Sequence, residues 1–560
     1  IGEEVNVSGK WIYHKNFGRQ FQVSMIEKKM PSEKTSMLRY LSAGNIKGIG
    51  EATAKKIVGL FGDDTFSVIE NEPLRLTEIK GISKKKAEDI CVQFQKQFGI
   101  RQLIIFLQPY NIRPSSVMKI YKKLGPGAID LIKMNPYILC DNNFSINFKT
   151  CDEIALDMDF EGDEKFRVMA AIKYVLSHNI LNGHTFVPKN KLFIIVKDMI
   201  EIDEILFEDA FDKLIKDCEI YCTFTKYSDE SVYIAKVFYT ESYIAKKLIE
   251  MKSSNYGIIT EIDQLIYDIE KEDNISYSER QKTAIKNAYI NKAFVLTGGP
   301  GTGKTTVLNG IISLFKKLDM KILLAAPTGR AAKRMTEITG EDSKTVHKLL
   351  EMDYNEDENL TSFARNEQNP LDCDVLIVDE FSMMDIYLFE ALLKALPQRA
   401  RLFMVGDSNQ LPSVGAGNVF RDIVESGIIE TVVLDKIYRQ SEKSKIVLNA
   451  HRILKGEYPD LKDKKSDFFF MKCLNDDKLC ETVASLCSER LTKTYNYNKF
   501  DDIQVICPSK KSLTGTYNLN RVLQNVLNPK NQNKKEKEFR DIIFREGDKV
   551  MQIKNNYDII

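Results

Sequence analysis

The feature that most constrains the fold of this chain is a glycine-rich stretch that fits the pattern G-x-x-x-x-G-K-[ST]. It consists of Gly298, Gly299, Pro300, Gly301, Thr302, Gly303, Lys304 and Thr305, with Thr306 next. An apolar run precedes it and a helical pattern follows it, which is the setting that this motif requires. In that setting backbone N–H groups wrap phosphates, the lysine reaches the β- and γ-phosphates, and the first threonine binds Mg²⁺. We therefore expect a P-loop that binds a nucleoside triphosphate through residues 299–306.

An acidic pair ends a later apolar run. Val375–Val378 leads directly into Asp379 and Glu380. After a P-loop, such a pair supplies one carboxylate to Mg²⁺ and a second carboxylate to the attacking water. The alternative is a core strand that ends in two solvated acids. We assign Asp379 to the metal, beside Thr305, and Glu380 to the general base, so ATP and Mg²⁺ are the expected cofactors.

Apolar runs and helical patterns alternate from about residue 275 onward, which is typical of parallel sheets covered on both faces. The runs are Ala293–Thr297, Lys321–Ala326, Asp374–Val378, Arg401–Val405 and Asp502–Cys507. The residues with chemistry follow these runs, and α/β folds bind ligands at the carboxyl ends of their strands. The sequence therefore predicts an α/β fold.

The first 270 residues have a different pattern. Alternating runs at Gly9–Tyr13 and Phe21–Ile26 predict two strands of a small β-domain. Amphipathic helices with short strands such as Ser231–Val237 predict a winged-helix-like connector after residue 160.

Between these regions, two similar glycine turns each precede a helix. They are Asn45-Ile46-Lys47-Gly48-Ile49-Gly50 and Glu78-Ile79-Lys80-Gly81-Ile82-Ser83, and a fainter third copy lies at Asn147–Thr150. Each has the form of a helix-hairpin-helix, in which backbone N–H groups and a helix N-terminus bind a DNA phosphate. Gly48, Gly50 and Gly81 are therefore candidate DNA-binding residues. The alternative is a packing unit that uses glycine only for the turn.

Bulk composition adds weaker constraints. The 80 Lys and Arg residues almost cancel the 79 Asp and Glu residues, so any DNA-binding surface must be local. No stretch approaches the length of a membrane span, and the first residues do not resemble a signal peptide. Ten cysteines without a CxxC pair indicate free thiols in a reducing compartment. We expect a cytoplasmic protein with no membrane partner.

Seven motifs in order resemble the RecD-like (RecD/TraA) group of superfamily-1 helicases. Besides the P-loop they are Ser278–Gln281, Ala326–Ala332, Thr345–Leu350, Asp379–Asp385, Gly406–Gly415 and Tyr438–Gln440. The hairpin repeats that precede them resemble the N-terminal extension of the long form of this family.

The resemblance implies roles for matching residues around the nucleotide. Gln281 would read the adenine edge, because its amide both donates and accepts hydrogen bonds. Gln410 would sense the γ-phosphate and couple it to DNA contacts. Arg439 would approach from a second lobe as an arginine finger; its alternative is a surface salt bridge.

The resemblance also implies a single-strand track lined by Pro327, Thr328, Arg330 and His347. For His347, a buried capping role is the alternative. The segment Tyr354–Pro370 lies where the family carries a small strand-separating hairpin, although its polarity fits any exposed insertion.

Together these features predict two RecA-like P-loop lobes, the second incomplete, preceded by a small OB-like β-segment, a helix-hairpin-helix domain and the connector. The predicted ranges are 1–33 (OB-like), 34–160 (helix-hairpin-helix), 161–270 (connector), 271–428 (first lobe, with a hairpin insertion at about 350–370) and 429–560 (second lobe). The family continues with an SH3-like insertion and two further motifs, so we expect a sequence truncated before them.

The expected function is that of an ATP-dependent DNA helicase that moves on single-stranded DNA and unwinds forked duplex in repair or recombination. The 5′→3′ polarity rests on the resemblance alone. A nucleotide-switched DNA-binding adaptor and a superfamily-1 RNA helicase remain alternatives. The sequence indicates no protein partner.

Overall fold

The computed structural model describes residues 4–14, 18–29, 33–42, 46, 48–141, 144, 146–160, 164–253, 261–355, 360–436, 444–462, 466–540 and 542–552. The chain forms two compact units, Ile1–Tyr438 and Arg439–Ile560.

The first unit contains most of the secondary structure. Its helices are α1 (Lys34–Ser42), α2 (Glu51–Phe61), α3 (Thr65–Asn71), α4 (Lys84–Leu107), α5 (Pro114–Leu124), α6 (Ala128–Met134), α7 (Phe148–Asp157), α8 (Glu164–Leu181), α9 (Lys189–Ile200), α10 (Glu204–Lys216), α11 (Ala235–Lys252), α12 (Ile262–Glu272), α13 (Glu279–Ile290), α14 (Lys304–Lys317), α15 (Gly329–Thr339), α16 (Val346–Leu349), α17 (Ile386–Ala395) and α18 (Val419–Ser426). Its strands are β1 (Glu4–His14), β2 (Gly18–Lys29), β3 (Phe186–Pro188), β4 (Ile220–Thr225), β5 (Ser228–Ile234), β6 (Ala293–Gly298), β7 (Ile322–Ala326), β8 (Ser343–Thr345), β9 (Met352–Asn355), β10 (Leu360–Phe363), β11 (Val375–Val378), β12 (Arg401–Gly406) and β13 (Glu430–Leu434).

The N-terminal segments form two structures that the sequence predicts. Strands β1 and β2 pair antiparallel. Helices α1 to α4 then enclose a separate core between Met37 and Phe94. Helices α2 and α4 begin directly after the two glycine turns, as predicted.

The fainter third copy also lies at the start of a helix. Phe148–Thr150 is the first turn of α7, and the Asn147 side chain caps this helix by accepting a hydrogen bond from the Thr150 N–H at 2.8 Å. The N-cap position is Gly50 in the first copy, Ser83 in the second and Asn147 in the third, and the last two are side-chain caps.

The connector has the element order of a winged helix: α8, β3, α9, α10, β4 and β5, with the antiparallel sheet ordered β3-β5-β4. Its core, however, does not start at residue 161. One continuous cluster of buried side chains extends from Leu103 to Val232. The helices on either side of residue 160, α7 and α8, pack together inside that cluster, so the two predicted regions share one core.

The first lobe is built on a six-stranded parallel sheet ordered β13-β6-β12-β11-β7-β8. Its central strands are buried, and their side chains alternate between two cores on opposite faces, with Phe294 in one and Val295 in the other. Four of the five predicted apolar runs are confirmed as strands. Strand β13 pairs with the P-loop strand β6, so the boundary predicted at residue 429 is wrong and the first lobe extends at least to Leu434. The predicted insertion is an antiparallel β9–β10 hairpin.

The second unit contains α19 (Lys445–Leu454), α20 (Asp476–Ser485), α21 (Leu491–Tyr495), α22 (Thr516–Leu527), β14 (Glu536–Phe539) and β15 (Ile542–Arg545). The predicted strand Asp502–Cys507 is wrong, because this segment is irregular and pairs with no strand. Ile506 is 90% exposed, whereas a strand of a parallel sheet is covered on both faces. Among the residues described in this unit, the only strand pairing is that of β14 with β15.

Candidate functional site

The glycine-rich loop follows β6 at the carboxyl edge of the parallel sheet and leads into α14. Gly301 and Gly303 have φ angles of 75° and 84°, a left-handed conformation that favours glycine. The buried Thr302 hydroxyl donates to the Gly299 carbonyl at 2.8 Å and closes the turn. The loop therefore has the backbone of a phosphate cradle at a helix N-terminus.

Lys304, the first residue of α14, folds back over this loop. Its Nζ donates to the carbonyl oxygens of Gly298 at 2.5 Å and Gly299 at 3.1 Å. Burial lowers the pKa of Lys304, and the carboxylate of Asp407 opposes that shift most strongly. The ammonium group therefore rests on two carbonyl groups that triphosphate oxygens can replace. The side chains of Thr305 and Thr306 are exposed.

The acidic pair lies one strand beyond β12. The Asp379 N–H donates to the Ala325 carbonyl at 3.0 Å, and the Asp379 Oδ1 accepts from the Glu380 N–H at 2.9 Å. Burial raises the pKa of both carboxyl groups, and Asp379 raises the pKa of Glu380 further. Lys304 opposes these shifts in both groups, so the pair and the P-loop lysine face one another.

Glu380 also has an unusual backbone. Its φ and ψ angles are 51° and 40°, in the left-handed region that a residue with a long side chain seldom adopts. Such conformations concentrate at functional sites, where the surrounding structure enforces them. Glu380 adopts this conformation two residues after the end of β11.

Gln281 lies at the start of α13. It is only 3% exposed, and its Oε1 accepts from the Ser278 N–H at 2.9 Å in a capping box. One hydrogen-bonding end of the amide is therefore used by the helix start.

Gln410 lies in the loop after β12, where its side chain is exposed and its N–H donates to the Asp407 carbonyl at 3.1 Å. We call residues 410–417 the sensor loop. The Ser413 hydroxyl makes hydrogen bonds to the carbonyls of Gly415 and Gly417 at 3.2 and 2.9 Å. The loop is therefore held by its own polar contacts.

The residues predicted for the single-strand track follow the neighbouring strands β7 and β8 of the same sheet. Thr328 caps α15, and its hydroxyl accepts from the Ala331 N–H at 3.2 Å. Pro327 is half-buried and Arg330 is exposed. A methyl group on Gly329 would lie 3.9 Å from Cγ2 of Thr345, the residue that caps the short helix α16.

His347 is half-buried in α16, and its ring centroid lies 6.4 Å from that of Phe363 in the β9–β10 hairpin. Burial lowers the pKa of His347, and the carboxylate of Asp385 acts in the opposite direction. The cap of α16 is Thr345, so the capping role considered for His347 is wrong. Asp385 in turn contacts the sensor loop, since a methyl group on Gly415 would lie 2.1 Å from its Oδ2.

The two N-terminal turns have the same geometry. Gly48 and Gly81 have φ angles of 100° and 105°, and the N–H of the following isoleucine closes each turn at 3.2 and 3.1 Å. A methyl group on Gly48 would lie 3.3 Å from Cε of Lys86, which belongs to the second hairpin. The two turns are therefore adjacent, with a lysine side chain between them. Gly50 caps α2 without a side chain, so the helix N-terminus is open.

Two residues near the nucleotide site were not singled out from the sequence. Asp407 is buried and faces Lys304, and its position directly after a strand could have indicated it. Arg334 in α15 acts on the pKa values of Lys304, Asp379 and Glu380. The only sequence feature that indicates Arg334 is its spacing of four residues from Arg330 in the same helix. Arg439 lies outside the described residues.

Across the described part of the chain, no helix is long and apolar enough to cross a membrane. The same residues contain no group of three or more side chains that could hold a metal ion by themselves. A P-loop and an acidic pair at the carboxyl edge of a parallel sheet define the class of the first lobe: a nucleotide-hydrolysing domain of the RecA-like kind.

Five protein-family models match this chain. They are "ATP-dependent DNA helicase YrrC, OB-fold domain" (residues 1–31), "SAM-like Helix-hairpin-helix tandem" (40–96), "ATP-dependent RecD2 DNA helicase HHH domain" (96–186), "AAA domain" (281–416) and "ATP-dependent RecD-like DNA helicase SH3 domain" (519–559). The SH3 match at 519–559 lies within the range predicted for the second lobe. We expected the sequence to end before an SH3-like domain, and that expectation is wrong.

The chain is also similar to two RecD-type proteins. The ATP-dependent RecD2 DNA helicase of Deinococcus radiodurans is 28% identical over 97% of this chain and 74% of its own length. The RecBCD enzyme subunit RecD of Buchnera aphidicola is 33% identical over 35% of this chain, which spans about a third (34%) of that subunit. The solved Pif1 helicase from Candida albicans covers 38% of this chain and 54% of its own chain at 23% identity and a TM-score of 0.27, a likeness too weak to support an argument.

The order of matched domains and the RecD2 alignment along almost the whole chain agree with the motifs. These findings support a RecD-like, ATP-dependent DNA helicase.

Proposed function

We propose that this protein hydrolyses ATP with Mg²⁺ to move 5′→3′ along single-stranded DNA and to open the duplex of a fork. The proposal rests on the position of predicted motifs of the first lobe along one edge of the parallel sheet. The P-loop, the acidic pair, the sensor loop and the track residues all follow strands of the same parallel sheet. Asp385 contacts the sensor loop on one side and acts on His347 on the other, so the nucleotide and strand sites share a physical connection.

At the nucleotide, Lys304 leaves its two carbonyl partners and binds the β- and γ-phosphates. The Thr305 hydroxyl and the Asp379 carboxylate suit Mg²⁺, a cation that prefers oxygen ligands. Bound there, Mg²⁺ neutralises charge on the transferring phosphoryl group. Glu380 takes the proton of the attacking water, and Arg439 supplies positive charge from the second lobe. Gln281 binds the adenine edge through its amide nitrogen, because its amide oxygen accepts the capping hydrogen bond.

At the strand, Thr328 and Arg330 bind phosphates of the single-stranded DNA, and His347 lies along the same path. Gln410 reports whether the γ-phosphate is present. Alternating grip between the two lobes then gives net movement on the strand.

The N-terminal turns bind the duplex part of the fork. Gly48, Gly50 and Gly81 present backbone N–H groups at two adjacent positions, a form of contact that reads phosphates and no sequence. We further propose that the protein works in the cytoplasm, in DNA repair or recombination.

The test is the unwinding of labelled forks that carry only a 5′ or only a 3′ single-stranded tail, together with ATPase rates on single-stranded DNA and on RNA. The proposal predicts unwinding from the 5′ tail, no unwinding from the 3′ tail, and stronger ATPase stimulation by DNA. Unwinding from the 3′ tail alone would overturn the polarity. ATP binding without unwinding of either fork would favour a nucleotide-switched DNA-binding adaptor, and stronger stimulation by RNA would favour an RNA helicase.

A further inference from the structure

The last strand of the winged helix, through Tyr233, and the helix α11 that follows it share a core with the first lobe. Val237, Ile244 and Leu248 of α11 are buried in the same cluster as Phe389 and Leu392 of α17. A polar contact supports this packing, because the Thr240 hydroxyl donates to Glu390 Oε2 at 3.1 Å. The winged helix is therefore fixed on the lobe that carries the P-loop.

Within this arrangement, the turn between α8 and β3 reaches the sensor loop. The Gly417 N–H donates to the Gly183 carbonyl at 3.0 Å, across 234 positions in the sequence. Gly183 has a φ angle of 92°, which turns its carbonyl towards the loop, and the Gly183 N–H donates to the Ile180 carbonyl at 2.9 Å. The end of α8 thus fixes the group that holds Gly417.

The contact is close on both sides. A methyl group on Gly417 would lie 2.5 Å from Cγ2 of Ile386 and 3.5 Å from Cγ2 of Thr185. The Ile386 N–H donates to the Ala416 carbonyl at 3.1 Å. The end of the sensor loop is therefore clamped between the start of α17 and the α8–β3 turn.

Thr185 lies in this turn, beside α11. Its side chain faces the carboxyl group of Glu241 and lowers the pKa of that group. The chain of contacts thus leads from α11 through Thr185 and Gly183 to Gly417, the last residue of the sensor loop that begins at Gln410.

We propose that the α8–β3 turn, residues 181–185, is a positioning element of the motor: it holds the sensor loop so that Gln410 links the γ-phosphate to the bound strand. The role of Gln410 rests on the proposed function. No residue of the turn touches nucleotide or DNA in this proposal. The N-terminal region then takes part in every ATPase cycle, because movement of the sensor loop must break or carry with it the Gly183–Gly417 bond.

The test uses Gly183→Ala with Gly125→Ala as the matched control. Both glycines follow a helix with a positive φ angle, 92° and 73°, and a methyl group at either meets no atom closer than 3.8 Å. Both variants place a side chain at a positive φ angle, but only Gly183 contacts the sensor loop. We expect Gly183→Ala to lower the DNA-stimulated kcat by about two- to tenfold, the range of one lost hydrogen bond, with an unchanged KM for ATP. Equal rates in both variants would overturn the proposal.

A second measurement separates this proposal from the proposed function. Hydrogen exchange of the peptide that contains Gly417 should be faster in Gly183→Ala than in wild type and unchanged in Gly125→Ala. Unchanged exchange in Gly183→Ala would overturn the positioning role whatever the ATPase does. If DNA fails to stimulate the wild-type ATPase, the proposed function fails, and the exchange result still decides whether the turn holds the loop.

Thr185 offers a conservative rescue. Thr185→Val keeps the shape of the side chain but loses the hydroxyl that faces Glu241, whereas Thr185→Ser keeps the hydroxyl. We expect Thr185→Val to lower the DNA-stimulated kcat in the same direction as Gly183→Ala and Thr185→Ser to stay nearer to wild type. The opposite order would contradict the chain of contacts from α11.

Discussion

The left-handed backbone of Glu380 lowers the stability of the fold by an amount that can be measured. At φ 51° and ψ 40° it lies in the left-handed region, which costs a residue with an ordinary side chain about 1–2 kcal/mol. Asparagine tolerates this region, because its short polar side chain makes local hydrogen bonds. Glu380→Asn should therefore raise the free energy of unfolding by roughly 1 kcal/mol, the lower end of that strain.

Glu380→Gln is the matched control. It removes the charge beside Asp379, as Glu380→Asn does, but its long side chain keeps the backbone strain. The difference in stability between the two variants therefore isolates the backbone. For a domain of about 150–250 residues, a gain of ~1 kcal/mol raises the melting temperature by roughly 2–4 °C.

The assay is thermal unfolding of ligand-free protein, followed through the transition that a non-hydrolysable ATP analogue shifts. Both variants should bind the analogue and lose turnover by about 10²–10⁴-fold, the range for removal of a general base. A melting temperature for Glu380→Asn no higher than that for Glu380→Gln would refute the strain argument. Turnover near the wild-type rate in either variant would refute the assignment of Glu380 as the base.

Three further predictions concern other parts of the first unit. Burial raises the pKa of Glu241, so the free energy of unfolding falls as pH rises from the ordinary pKa of a glutamate through the raised value. Glu241→Gln should remove this fall. In urea titrations, the stability of the variant relative to wild type should therefore grow with pH and then level off. Gly415→Ala places a methyl group 2.1 Å from Oδ2 of Asp385, which caps α17, and should cost about 1–3 kcal/mol in the same titrations, whereas an unchanged midpoint would mean that the loop moves freely. Gly48→Ala and Gly81→Ala, at φ angles of 100° and 105°, should weaken fork binding in anisotropy titrations without lowering the ATPase on single-stranded DNA; an equal loss of both would contradict a duplex-binding role.

The sequence predicted the first lobe well because its central strands are continuous apolar runs between recognisable motifs. Strand β13 was assigned to the wrong lobe, since an edge strand with partly exposed residues has no such run. Asp502–Cys507 has alternating exposure and was wrongly predicted as a strand. Pairing decides these cases, and pairing depends on neighbours that a local pattern does not contain.

The site shows the same limit. The motifs predicted the P-loop and the acidic pair, which the structure places at one edge of the sheet, because phosphate and metal chemistry restricts the residue types. No motif marks Gly183, whose role depends on a hydrogen bond to a residue 234 positions away. The capping role considered for His347 failed for a related reason: the threonine before its helix already supplies the cap.

The most direct test of the central claim is the steady-state ATPase rate of the protein with and without single-stranded DNA, with Lys304→Ala as the control. The account predicts strong stimulation by DNA in the wild type and no turnover in Lys304→Ala, which lacks the group that binds the β- and γ-phosphates. An ATPase rate that does not respond to DNA, or that survives in Lys304→Ala, would contradict a DNA motor driven from this P-loop.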